Sequence, residues 1–135
     1  MKKIAFLIAL QILVLFSLKA QVADSIRYPL IIKFASVCCG VPSDAPLKKE
    51  IKYFKSKNKI KTIKAIKISP MGREGEYWIC FKLKELTKKQ KINFSDKLCK
   101  LTKKMTDKGN ATCETNTQVI KSTLPQNVKM DNLIF

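Results

Sequence analysis

The sequence predicts a small α+β sandwich of the ferredoxin-like type, β-α-β-β-α-β in order, behind a cleavable signal peptide. Four antiparallel strands in the spatial order 4-1-3-2 would carry both helices on one face. Three observations carry this expectation. Short runs rich in Ile, Val and aromatic residues alternate with two longer stretches of helical periodicity. Proline and glycine punctuate the joins. The 135-residue length allows one modest core and little more.

Met1-Lys2-Lys3 is a short positive lead, and residues 4–18 are an almost unbroken apolar run interrupted by Gln11. This run is shorter than the roughly 20 residues of a spanning helix, so it reads as a signal peptide of bacterial type, cleaved after Ala20. Leu18 and Lys19 make the cleavage site an imperfect one. No cysteine follows closely, so a lipid anchor is not expected. Residues 1–20 are thus assigned to the signal peptide, 21–26 to a short lead, 27–124 to one domain and 125–135 to a tail. The mature chain would work in the periplasm or outside the cell, where disulfides persist.

Residues 28–37 (YPLIIKFASV) form the first predicted strand, with Pro29 tolerable near its start. Alternation places Tyr28, Leu30, Ile32 and Phe34 on one side, and Arg27, Ile31, Lys33 and Ala35 on the other. Cys38-Cys39-Gly40-Val41-Pro42 breaks that pattern. A helix then begins, capped by Ser43 or Asp44, with Pro46 in its first turn and Leu47, Ile51 and Phe54 as its buried stripe. Residues 60–69 are the second strand, 70–75 (PMGREG) a hairpin connection and 76–83 the third strand. Thr87 and Gln90 make a capping box for a second helix, whose core stripe is Phe94, Leu98, Leu101 and Met105. Gly109 reads as its stop signal. Residues 110–117 read as a polar loop, and 118–124 as the fourth strand, closed by Pro125. Asn110-Ala111-Thr112 matches the N-glycosylation pattern, which carries little weight behind a bacterial-type signal.

The composition excludes several kinds of chemistry. There is no histidine, so His-based triads, imidazole bases and His-ligated zinc are ruled out. Neither G-x-x-x-x-G-K-[ST] nor G-x-G-x-x-G occurs. The formal charge is +17, from 27 basic and 10 acidic residues. Loss of Lys2, Lys3 and Lys19 with the signal peptide leaves +14. An extracytoplasmic location makes nucleic acid an unlikely partner despite that charge. Lysine outnumbers arginine 25 to 2, which favours diffuse attraction over bidentate phosphate recognition.

The expected topology brings scattered residues to one edge. Cys38, Cys39 and Gly40 would face the turn bearing Arg73, Glu74 and Glu76 on one side and Cys113 on the other. A disulfide from Cys113 to Cys38 or Cys39 is the plain structural expectation, with Cys80 and Cys99 as small buried hydrophobes. Fifteen two-bridge pairings are possible among five cysteines, so spacing does not fix the partner. Free thiols at Cys38 and Cys39 would support capture of a soft metal such as Cu(I), with Met71 and Met105 as candidate thioethers. They would equally support thiol–disulfide exchange. A cysteine-nucleophile enzyme would use Cys38 or Cys39, Glu74 or Glu76 as base, and Arg73 as anion holder. The favoured expectation is non-catalytic and needs no cofactor. Lysine rows on both helices (Lys48, Lys52, Lys55; Lys89, Lys97, Lys100, Lys104) would attract an anionic surface, a glycan or an acidic protein. Arg27, Lys33, Trp78 and Lys82 are expected to share an open sheet face that could dock a partner, or that the tail could cover.

Overall fold

The computed structural model describes residues 24–135. The segments expected to be a signal peptide and most of a short lead lie outside the described residues. The elements run β1 (Ser25–Ser36), α1 (Ala45–Lys57), β2 (Lys64–Ser69), β3 (Tyr77–Phe81), α2 (Lys88–Thr102), β4 (Gly109–Ile120), a 3₁₀ turn (Lys121–Thr123) and β5 (Lys129–Ile134). The fold is α+β, with all strand pairings antiparallel and the order β4-β1-β3-β2-β5. The first four strands stand in the expected order. The sheet has five strands rather than four, because the segment read as a tail supplies β5 along β2, from Lys64↔Ile134 to Ser69↔Lys129.

Each helix follows from its stripe and cap. In α1, Leu47, Ile51 and Phe54 are buried, with Pro46 in the first turn. Asp44 is the N-cap residue, but its side chain makes no cap bond. It is taken instead by Lys48 Nζ at 3.0 Å and by the Tyr77 hydroxyl. At α2 the capping box forms: the Gln90 N–H donates to Thr87 Oγ1 at 3.3 Å, and the Thr87 N–H to Gln90 Oε1 at 2.9 Å. Both helices pack on one sheet face over Leu30, Ile32, Phe34, Ile79 and Phe81. Phe94 sits at the centre of this core, edge-on to Phe54 at 5.0 Å and to Phe81 at 5.5 Å.

Two boundaries differ from the sequence reading. The helix α2 stops at Thr102, well before Gly109, and Gly109 opens β4. Glycine is needed there because a Cβ would strike the Ala35 carbonyl of the neighbouring strand. The stretch read as a polar loop is therefore most of an edge strand. Its core-facing side chains, Ala111 and Cys113, are small, which hides the alternation.

Tyr28 also departs from expectation. Pro29 and Asn116 stand opposite one another without pairing, and Asn116 has φ 54°. Across this kink Tyr28 leaves the helix-side core and joins Ile31, Ile68, Cys80 and Val119 on the other face. That face is not open. Residues 121–128 lead from the end of β4 across to β5 at the opposite edge, and Leu124 and Val128 pack on the same cluster as Trp78, Ile66 and Met71.

Candidate functional site

The end of β1 and the start of β3 pair at Phe34↔Tyr77, and the two rings stack at 4.5 Å. This fixes the cysteine loop and the 70–76 turn at the same end of the sheet. Cys38 and Cys39 are both free and exposed. Cys39 has φ 65° and Gly40 φ 114°, so the chain reverses sharply there. The Gly40 N–H donates to Ser36 Oγ at 3.3 Å, and Pro42 is buried, which anchors both sides of a short projecting knuckle.

The turn opposite is closed on itself. Glu76 Oε2 accepts the Glu74 N–H at 2.8 Å, and the Glu76 carbonyl accepts the Met71 N–H at 2.8 Å. The Glu76 carboxylate thus holds its own hairpin. Arg73 and Glu74 are exposed, and among the described residues neither side chain makes an ion pair. Topology brings Cys38, Cys39, Gly40, Arg73, Glu74 and Glu76 to one end. No hydrogen bond or ion pair joins the thiols to the turn among the described residues.

Cys113 does not serve Cys38 or Cys39. It is bonded to Cys99 of α2, with Cα atoms 5.2 Å apart, so the staple runs from β4 to the helix beside it. This corrects the expected pairing. Cys113 turns towards the helices, as Ala111 does, whereas the Cys38–Cys39 knuckle projects beyond the sheet. Cys99 is therefore a bridge partner rather than a small buried hydrophobe. Of the two, only Cys80 keeps that role, and burial pushes its thiol up to about 12.

The thioethers also separate. Met105 belongs to the helix-side core and Met71 to the cluster on the opposite face. Among the described residues no group of three or more Cys, Asp or Glu side chains is placed to hold a metal ion. Cys38 and Cys39 alone would have to bind Cu(I).

On the face opposite the helices, Lys33 and Trp78 do come together. Lys33 Nζ lies 4.5 Å from the Trp78 ring centroid and donates to Glu114, a contact the sequence reading did not foresee. Arg27 and Lys82 instead line a shallow hollow with Tyr28, Pro29 and Lys84, near the other end of the sheet. The expected four-residue docking face is split in two and partly covered.

The helix layer is basic. Lys48, Lys52 and Lys55 rim a shallow groove floored by Ile51 and Phe135. Lys97, Lys100 and Lys104 line a second hollow with Glu50 and Leu101. Lys97 pairs with Glu50 at 3.2 Å and lies 5.4 Å from the ring centroid of the exposed Tyr53. Lys52, Lys55, Lys100 and Lys104 have no acidic partner among the described residues. No helix among the described residues is long and apolar enough to cross a membrane.

No family model, curated protein or solved structure matches this chain.

Proposed function

We propose that this chain is an extracytoplasmic, non-catalytic binding module, periplasmic or secreted, that holds an anionic partner against its helix layer. The observation that carries this reading is that most lysines on and just beyond α1 and α2, Lys52, Lys55, Lys100 and Lys104 among them, have no acidic partner among the described residues. Unpaired cations along a helix layer raise the local potential, and an anionic surface, glycan or acidic protein relieves it. Lysine rather than arginine suits a partner read by charge and not by a fixed bidentate geometry. An enzyme at the cysteine end has less support: the Glu76 carboxylate is occupied in closing its own turn, and among the described residues no hydrogen bond joins Glu74 or Arg73 to the thiols.

The test is co-sedimentation with vesicles containing anionic lipid, alongside retention on immobilised heparin. Lys52→Gln, Lys55→Gln, Lys100→Gln and Lys104→Gln combined should weaken vesicle binding by at least tenfold, since each lysine near an anionic membrane contributes about 1 kcal/mol. Affinity should fall steeply between about 0.05 and 0.3 M salt. Absence of binding, or binding indifferent to salt and to the four substitutions, would overturn the proposal.

A further inference from the structure

We infer that the Val37-Cys38-Cys39 knuckle is where two copies of this chain meet and become joined by a disulfide. Four independent observations converge on it. Val37 is 71% exposed, and the two cysteines that follow it are exposed as well, so three consecutive uncharged side chains project into solvent. The loop is held at its base by Ser36 and the buried Pro42, which presents the tip rather than letting it fold back.

The second observation concerns charge. No Lys or Arg lies between Lys33 and Lys48, and Asp44 is the single charged residue in that interval. The loop itself therefore adds no positive charge to the contact, although Lys108, next to the Ser36↔Gly109 pair, and Arg73 on the facing turn lie at the same end of the sheet. The third is the fate of the other thiols. Cys99 and Cys113 are bonded to each other, and Cys80 is wholly buried on the sheet face opposite the helices. Cys38 and Cys39 therefore have no partner within the fold except each other, and adjacent cysteines close only through a strained eight-membered ring. The fourth is the Cys99–Cys113 bridge itself, which together with the extracytoplasmic location proposed above fits surroundings that oxidise accessible thiols.

The step needs a low-molecular-weight disulfide as oxidant. A Cys38 or Cys39 thiolate attacks that disulfide and expels one small thiolate. A thiolate of the second copy then attacks the mixed disulfide at the protein sulfur and expels the other. One protein–protein S–S bond forms, one small disulfide is reduced, and the two expelled thiolates take up the two protons released by the cysteines. An isologous contact between identical knuckles closes after two copies and does not propagate.

The mature chain at about 10 µM, equilibrated in a glutathione redox buffer of about 1 mM, separates a true contact from chance oxidation, because small thiol outcompetes collisions at that ratio. Intact mass under non-reducing conditions should show mainly the covalent dimer, dissociated by dithiothreitol. Cys38→Ser or Cys39→Ser alone should leave a dimer, and the two together should abolish it while the Cys99–Cys113 bridge remains. Val37→Lys should cut the dimer yield several-fold by placing like charges at the contact. A monomer carrying glutathione, or a monomer whose two vicinal thiols are closed on each other, would overturn the inference. So would an unchanged yield in Val37→Lys, or a dimer that survives loss of both cysteines. None of these outcomes bears on vesicle or heparin binding, so the two proposals stand or fall separately.

Discussion

Cys80 sits on β3, on the face turned from the helices, walled in by Tyr28, Ile31, Ile68 and Val119. Burial disfavours its thiolate most. The Lys33 ammonium pulls the other way, and the Glu114 carboxylate adds to the rise, leaving the thiol at about 12 against an ordinary value of 9.0. A folded value above the unfolded one means that the neutral thiol stabilises the fold fully below about pH 9. That contribution is then lost as pH rises towards 12, by about 1.4 kcal/mol per pH unit. Tyr77 acts in the same direction above about pH 10, since burial and the Asp44 carboxylate both hold its hydroxyl protonated. Urea denaturation at stepped pH should show stability falling from pH 9 upward. Cys80→Val should abolish the fall between about pH 9 and 10 and, from there towards pH 12, lessen the slope by about 1.4 kcal/mol per unit, leaving the tyrosine share. A slope unchanged by the substitution would show that Cys80 is not its source.

Among the elements, α1 and α2 were legible because their stripes rest on large residues at helical spacing. Leu47, Ile51 and Phe54, then Phe94 and Leu98, are buried as the periodicity requires. The strand β4 was largely hidden. Its inward positions are Ala111 and Cys113, its outward ones Asn and Thr, and no alternation of large and polar side chains marks it. The strand β5 was missed for a related reason: KMDNLI buries little beyond Leu133, and its role is to cover the edge of β2. Cysteine pairing was illegible because spacing says nothing about which faces meet. The end at which the candidate residues gather followed from strand order alone, whereas the self-closed Glu76 turn depends on local hydrogen bonds that no motif encodes. The Cys99–Cys113 bridge closes a separation of only 14 residues. Chain-entropy arguments give such a loop about 3 kcal/mol. Cys99→Ser with Cys113→Ser should lower the unfolding free energy by about that amount in urea, without changing the far-ultraviolet spectrum.

At the scale of the whole molecule, the positive charge is unevenly placed. Lys57, Lys59, Lys61 and Lys64 follow one another at the end of the sheet away from the cysteines, whereas the interval from Lys33 to Lys48 has no cation between its ends. The last segment also matters to the whole, since it crosses one face with Leu124 and Val128 and places Leu133 and Phe135 against the helix-side core. Truncation before Pro125 should bare both the edge of β2 and the cluster around Cys80. Loss of cooperative unfolding and concentration-dependent aggregation should follow, measurable by light scattering. A truncated chain that stays monomeric and unfolds cooperatively would show that β5 is dispensable.

The register of β1 carries a consequence in time. Its flank on the β4 side is filled from Ser36↔Gly109 to Ser25↔Ile120, by residues more than half the chain length away. This interior strand therefore cannot be completed by its sequence neighbours, and its closure waits on one of the longest loops the fold contains. Folding should be paced by that meeting, in the millisecond-to-second range of non-local sheets. A chain arriving amino end first would hold a sticky Leu30–Phe34 ribbon half-zipped until its final third appeared.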